Sequence, residues 1–143
     1  MTKNTPIFLR WMFVFTTACV ISLITGCSDQ NKVKGVTPKF VVASNNLMKE
    51  FSENEQLANT TYVNEVIEVF GKVKDISKLN NRLTIILETD SSAGIICDLN
   101  LLEQEQLKQI KKNQLIHIKG ICKGYLKDVI LLNCFIDLTN QHE

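Results

Sequence analysis

The sequence has few of the residues from which metal centres and nucleophilic active sites are built. Its histidines are His117, which alternation places on the outer face of a strand, and His142 in the C-terminal tail. Zinc-ligand spacing, a G-x-S-x-G motif and a phosphate-binding glycine loop are all missing. Glu65 and Glu68 lie on opposite faces of one strand and make a poor acid–base pair. We therefore predict no enzyme, no catalytic residue, no metal and no cofactor.

The net charge is small, and long apolar runs are few. The 143 residues carry a formal net charge of +1, with 22% charged and 45% hydrophobic side chains. These values exclude a wholly disordered chain, a polytopic membrane protein and a strongly basic nucleic-acid binder of the histone kind. The length favours one domain over two.

The N-terminus has the pattern of an export signal. Lys3 and Arg10 precede an apolar run, Trp11–Ile24, which is too short for a membrane-spanning helix. Leu23-Ile24-Thr25-Gly26-Cys27 resembles the lipobox of bacterial lipoproteins, although Leu is commoner at position 24 and Ala or Ser at position 25. The resemblance implies that residues 1–27 are a signal peptide with its lipidation site, and that Cys27 is lipidated. A plain secretory signal is the alternative.

The signal implies a location in the bacterial cell envelope, periplasmic or at the outer membrane. Ser28 rather than Asp after the cysteine favours the outer membrane. Residues 28–39 contain Gly35 and Pro38 and few apolar side chains, which is typical of a flexible tether. Without residues 1–26 the chain has a net charge near −1. A basic-protein argument must therefore rest on local patches.

The remaining residues, 40–143, form one predicted domain. Ser44–Ala58 has apolar residues at helical spacing with Ser44 as a suitable N-cap, so we predict a helix there. A second helix is predicted over Asn100–Lys111. Alternation of apolar and polar residues gives five strands, Tyr62–Asp75, Arg82–Glu88, Gly94–Asp98, Leu115–Lys123 and Asp128–Asp137.

The predicted inner faces of these strands define a core. Their members on the first, second and fourth strands are Ile67, Val69, Gly71, Val73, Leu83, Ile85, Leu87, Ile116, Ile118, Gly120 and Cys122. Gly71 on an inner face indicates a bend or a close backbone approach. Five strands with a helix between the third and fourth predict a mainly β (α+β) OB-fold barrel with an N-terminal helix. Another small α+β domain with an open sheet is the alternative.

Three stretches of the domain resemble the tRNA_anti-like OB-fold family of bacterial lipoproteins. They are Lys119–Cys134, Glu68–Val73 and the helical region with Phe51, Asn54, Glu55, Ala58, Asn59 and Tyr62. The resemblance covers Ala43–Ile136. It implies an OB fold of the nucleic-acid-binding type, and it implies a ligand by fold analogy alone.

The cysteines of the domain are Cys97, Cys122 and Cys134, and export permits a disulfide. A three-residue hairpin loop, Tyr125–Lys127, places Cys122 opposite Ile130, too far from Cys134 for a bond. The third and fifth strands of an OB barrel are parallel neighbours, so the predicted disulfide is Cys97–Cys134. Three free buried thiols are the alternative.

OB folds bind ligands on the face of their second and third strands, between the loops that join strands 1–2 and 4–5. Residues near these loops are the predicted ligand-binding set, Lys72, Lys74, Lys78, Arg82, Lys123, Tyr125 and Lys127. Two basic clusters beside one groove favour an anionic oligomer, such as single-stranded nucleic acid, an acidic glycan or a lipid headgroup. The outward positions of the second strand hold no aromatic residue on which a base would stack. Solvated lysines are the alternative.

The sequence therefore predicts a non-enzymatic OB-fold binding module tethered to the membrane by its N-terminal lipid. An anionic oligomer or an envelope protein is the expected partner. The alternative is a protein-interaction or structural envelope lipoprotein with no nucleic-acid ligand. The sequence gives no indication of the oligomeric state.

Overall fold

A computed structural model of the chain describes residues 33–80, 82–99 and 107–137. The elements within these ranges are β1 (Phe40–Ala43), α1 (Ser44–Glu53), α2 (Glu55–Tyr62), β2 (Val66–Leu79), β3 (Arg82–Leu87), β4 (Ile95–Leu99), β5 (Leu115–Tyr125) and β6 (Val129–Asp137). The predicted signal peptide, the lipidation site and residues 100–106 of the predicted second helix lie outside them.

The strands β2 to β6 close into a barrel. β2, β3 and β4 pair antiparallel in sequence order, β4 pairs parallel with β6, and β6 pairs antiparallel with β5. β5 then pairs with the first half of β2, which completes the circuit. This is the five-stranded OB topology, so the predicted fold class is confirmed.

The core lies where the alternation of the sequence placed it. The inward residues predicted on β2, β3 and β5 are all buried in the structure. They interleave with inward residues of β4 and β6, such as Ile95, Leu131 and Ile136, which are fully buried. Burying one such side chain contributes about 1.5–3 kcal/mol, so this interior supplies most of the driving force for folding.

The hairpin between β5 and β6 departs from its predicted register. The loop is Leu126–Asp128, one residue later than predicted, because the Asp128 carboxylate accepts a hydrogen bond from the Gly94 N–H at 2.7 Å and stays out of the strand. The later loop moves the pairing by two residues, and a register shift between Cys122 and Gly124 takes one of them back, so Cys122 lies opposite Leu131 and not Ile130. The register prediction was wrong by one to two residues.

A second irregularity, in β6, restores the two-residue shift beyond Leu132. Asn133 has a φ of 54°, a left-handed conformation that asparagine tolerates better than most residues. Leu132 and Asn133 are consecutive half-buried positions, after which Cys134 is buried again. An extra residue in one strand reverses the alternation beyond it. Cys134 thus points inward, and Ile118 lies opposite Ile136.

The predicted N-terminal helix is two helices. Asn54, with φ −150° and ψ 81°, interrupts the helical backbone, and its side-chain oxygen accepts a hydrogen bond from the Leu57 N–H at 3.1 Å. Asn54 is therefore the N-cap of α2, which runs on to Tyr62. The predicted single helix missed this break, and the predicted first strand began too early.

Ser44 is the first residue of α1 and not its N-cap, which is Ala43. The Ser44 hydroxyl instead donates to the Glu88 carbonyl at 2.7 Å. The space for this contact exists because residue 71 is glycine. A Cβ on Gly71 would lie 2.5 Å from Ser44 Oγ and 2.9 Å from its Cβ. The sequence predicted a bend or a close backbone approach at Gly71, and the structure shows a close approach of the Ser44 side chain.

The two helices pack over an end of the barrel. Leu47 and Phe51 of α1 and Ala58 and Tyr62 of α2 are buried in the common core. The Phe51 ring lies 6.0 Å from the Tyr62 ring and 5.9 Å from the Tyr125 ring, measured between centroids. This aromatic cluster ties both helices to the end of β5.

The segment before the helices contacts the barrel, whereas a flexible tether would not. β1 is an additional strand that runs parallel to β2, with Phe40 opposite Ile67. The described part of the predicted tether, residues 33–39, contacts the barrel, and Val33 is only 1% exposed. The domain boundaries predicted from the sequence remain predictions.

Replacing Gly71 with alanine is expected to destabilise the protein by about 1–3 kcal/mol, because the new methyl group overlaps Ser44. Denaturant unfolding measures this loss. Gly71→Ala combined with Ser44→Gly is expected to recover part of it. The control is Gly35→Ala, whose Cβ meets nothing within 4 Å. An equal loss in the two single alanine variants would contradict the overlap.

Ionisation of Tyr62 is expected to make the free energy of unfolding depend on pH in the alkaline range. Burial, and then the hydrogen bond from its hydroxyl to Glu50 Oε2 at 2.7 Å, raise the pKa of Tyr62 from 10.0 to about 12. A raised pKa means that the neutral form stabilises the folded state below pH 10, and this contribution is lost between about pH 10 and 12. The stability difference between wild type and Tyr62→Phe, measured by urea unfolding, should shrink across that interval. A constant difference would rule out this linkage.

Candidate ligand-binding groove

A groove of about 540 Å³ opens on the outer face of the barrel, across the end of β2 and the strands β3, β4 and β6. Its lining residues are Ser77, Leu79, Asn80, Arg82, Thr84, Ile96, Asp98, Ile130 and Leu132. The outward positions of β3 and β4 supply four of these nine residues, Arg82, Thr84, Ile96 and Asp98. These two strands are the second and third of the OB barrel, so the groove lies on the face that the fold uses for ligands.

The groove is aliphatic with one ion pair. Leu79, at the end of β2, is 68% exposed, and Ile96, Ile130 and Leu132 continue the apolar surface across the barrel. The Arg82 guanidinium donates to Asp98 Oδ2 at 2.6 Å. This hydrogen bond raises the pKa of Arg82 above its ordinary value and satisfies part of its charge within the protein.

The predicted first cluster of basic residues is divided among different surfaces. Arg82 lines the groove. Lys78 pairs with Leu83, and the side chains of paired residues project from the same face of the sheet. Because Leu83 points inward, Lys78 lies on the face of β2 that is turned away from the groove. The Lys74 ammonium donates to the Ser92 carbonyl at 3.1 Å. Lys72 lines a separate cleft.

The predicted second cluster also lies elsewhere. The Tyr125 ring stacks on Phe51 and packs against the core, so it is not a free platform for a base. The Lys123 ammonium donates to Asn64 Oδ1 at 2.9 Å. Lys127 is exposed in the β5–β6 turn. The structure therefore places one of the seven predicted residues, Arg82, along the groove.

A smaller cleft of about 420 Å³ lies near the start of α1. It is lined by Ala43, Ser44, Asn45, Phe70, Gly71, Lys72, Glu88, Thr89, Asp90 and Leu115. Its charged members are one lysine and two acids, which gives it no consistent sign. Asn45 Oδ1 already accepts a hydrogen bond from the Asp90 N–H at 2.9 Å. This cleft has weaker grounds as a binding site than the groove.

A polar contact that the sequence did not predict joins β2 and β5. His117 Nδ1 lies 2.8 Å from Glu68 Oε1, and the His117 ring stacks on Phe70 with 5.3 Å between centroids. Glu68 is 8% exposed. Alternation placed both residues outward, but only the strand register brings them together. In the described residues, no cluster of His, Cys, Asp and Glu has the form of a metal site.

The three domain cysteines are buried and their thiols are free in the structure. Cys134 nevertheless lies near Cys97 across the parallel pair of β4 and β6, in which Cys97 pairs with Leu131 and Leu99 with Cys134. The predicted neighbourhood is therefore present, and the disulfide itself remains a prediction. Burial, followed by the contact with Cys97, holds the pKa of the Cys134 thiol well above its ordinary value.

The tRNA_anti-like family matches residues 1–136, which is most of the chain. The protein therefore belongs to this family of OB-fold domains. No curated protein matches it.

Among solved structures, a lipoprotein from Klebsiella pneumoniae subsp. pneumoniae, provisionally named as nucleic acid-binding, is similar at 13% identity with a TM-score of 0.56. That match covers 67% of this chain and 90% of the other. The S. pombe Stn1-Ten1 complex is similar at 9% identity, with a TM-score of 0.41 over 51% of this chain and 58% of that one. At these identities the Klebsiella structure supports the fold. In the described part of the chain, neither helix has the length and hydropathy needed to cross a bilayer.

The Cys134 thiol should resist alkylation by iodoacetamide in the folded protein at pH 8, because the thiolate is the reactive form and burial disfavours it. Peptide mapping before and after guanidinium unfolding measures the protection. Modification of Cys134 at the same rate in both states would contradict the buried position. Non-reducing mapping of exported protein tests the predicted Cys97–Cys134 bond directly.

Proposed function

We propose that the protein is a non-catalytic binding module of the bacterial envelope, anchored by lipid on Cys27, which holds an extended polypeptide segment in the groove. The observation that supports this function best is the aliphatic groove on the ligand-binding face of the OB barrel. Contiguous exposed apolar surfaces mark protein-interaction sites and ligand-binding grooves.

The anchor is supported by the sequence and by one structural neighbour. Leu23–Cys27 resembles a lipobox, and the Klebsiella protein with the same fold is named a lipoprotein. Both observations favour a periplasmic or outer-membrane location over a cytoplasmic one.

The chemistry of the groove favours a polypeptide as the ligand. Leu79, Ile96 and Ile130 offer apolar contact to aliphatic or aromatic side chains. Arg82 and Asp98, at one side of this surface, provide a donor and an acceptor for backbone amides or a charged side chain. An apolar centre with a polar border is the usual composition of a protein interface.

Single-stranded nucleic acid is the second candidate. The Klebsiella protein is provisionally named as nucleic acid-binding, and the family is of that fold type. The lining of the groove supports this ligand less well. Its residues include no aromatic ring for a base to stack on, and its one cation, Arg82, is paired with Asp98.

Two substitutions at Leu79 separate the candidates. If the groove binds apolar side chains, Leu79→Lys and Leu79→Glu should both weaken a bound peptide by about tenfold, since both remove apolar contact. If it binds nucleic acid, Leu79→Lys should strengthen binding and Leu79→Glu should weaken it, because the backbone is anionic. Val41→Lys, at an exposed position of β1 that is 59% exposed, is the matched control.

The measurement uses the full chain in two binding assays. Peptides are selected from a displayed library, and single-stranded DNA and RNA oligomers are titrated by fluorescence anisotropy across a salt series. Peptide affinity should change little with salt, whereas nucleic-acid affinity should fall steeply. If no selected peptide weakens in both Leu79 variants, the polypeptide proposal is wrong. Absence of both ligands would leave the structural envelope role predicted as the alternative.

A further inference from the structure

The chain before β1 is seated on the outer face of the barrel. Val33 is 1% exposed, and the Val36 N–H bonds to the Val33 carbonyl at 3.3 Å in a turn. The Lys119 ammonium donates to the carbonyls of Lys34 at 3.1 Å and Val36 at 2.9 Å. These contacts fix the path of the chain six residues after Cys27.

The seat spans two strands. Lys119 on β5 and Phe135 on β6 are cross-strand neighbours, and the Lys34 ammonium lies 4.8 Å from the centroid of the Phe135 ring. A cation over an aromatic face and two ammonium–carbonyl bonds act on one turn of chain. We call this surface, with Lys34, Lys119, Lys123 and Phe135, the seated face.

The spacing to Cys27 limits how the domain can be oriented. Six residue steps separate Cys27 from Val33, and a fully extended chain reaches about 3.3–3.6 Å per step, or roughly 20 Å. A domain of about 100 residues has a radius of gyration near 13 Å and is roughly 30 Å across. With a lipid on Cys27, the seated face lies within about 20 Å of the bilayer, and the opposite side of the barrel cannot be turned to it.

The seated face also has the charge that a bilayer surface attracts. Lys119 and Lys123 are four residues apart on β5 and therefore point to the same side, as alternation requires. Their contacts are with backbone carbonyls and with the Asn64 amide, and Lys34 contacts an aromatic ring. The partners in these contacts are neutral groups, while the Glu68 carboxylate, which lies across from Lys119 on β2, is bonded to His117. Clustered lysines beside a lipid anchor bind anionic headgroups.

We propose that the barrel rests on the membrane with the seated face against anionic phospholipid headgroups, held by Lys34, Lys119 and Lys123 together with the lipid on Cys27. This inference rests on the proposed anchoring. It also places the groove beside the bilayer. Leu132 of the groove and Phe135 of the seated face are three residues apart on β6, about 10 Å. A ligand in the groove is therefore bound close to the membrane.

Neutron reflectometry of the lipidated full chain on supported bilayers tests the orientation. With anionic phosphatidylglycerol in the bilayer, the protein layer should begin at the headgroups with no water layer between them. The triple variant Lys34→Gln, Lys119→Gln and Lys123→Gln should separate from the bilayer by a hydrated gap of up to roughly 20 Å, the reach of the linker. Glutamine at position 119 keeps a donor for the seated turn.

The matched control removes three positive charges elsewhere, through Lys49→Gln, Lys72→Gln and Lys74→Gln. It should keep the protein in contact with the bilayer. A gap in the wild type, or equal gaps in both triple variants, would overturn the proposed orientation while leaving the anchor intact. Loss of the anchor itself has a different signature. If mass spectrometry finds no lipid on Cys27, both the proposed anchoring and this orientation are wrong.

Discussion

The whole architecture depends on β2 pairing with different strands along its length. Its first half lies between β1 and β5, and its second half pairs with β3, so the strand must bend to close the barrel. A register shift at Lys74 lies between the two halves, and three residues earlier a Cβ at position 71 would overlap the Ser44 side chain. Ser44 enters the space over Gly71 and bonds to Glu88, which fixes α1 at the same point. Helix docking thus occurs at the part of β2 where its pairing changes from β5 to β3.

The alternation of apolar and polar residues was enough to predict the fold, because most strands bury one face and expose the other. Alternation sorted residues such as Ile67, Leu83 and Ile118 to the core, and the element order then allowed few topologies. It failed where the backbone departs from a regular repeat. Asn54 breaks a helix and Asn133 inserts a residue into a strand, and each is an asparagine whose local conformation has no apolar signature.

The groove was harder to predict than the fold. The predicted set was chosen for its position near the loops and included Lys123 and Tyr125, yet the Tyr125 ring belongs to the aromatic cluster under the helices. The available signal was apolar side chains at outward positions, Ile96, Ile130 and Leu132, which a barrel does not need for its core. Their convergence depends on the strand order β3-β4-β6, which spacing along the sequence does not reveal.

The four-residue strand β1 has a consequence for how copies of the protein meet. It lies at the end of the sheet order and covers the edge of β2 from Ile67 to Phe70, and α1 begins directly after it. Proteins confined to a membrane surface collide often, and a long open strand edge would let them pair edge to edge. A short final strand that turns at once into a helix offers little backbone for such pairing. Copies anchored as proposed can therefore be crowded in two dimensions without their sheets joining.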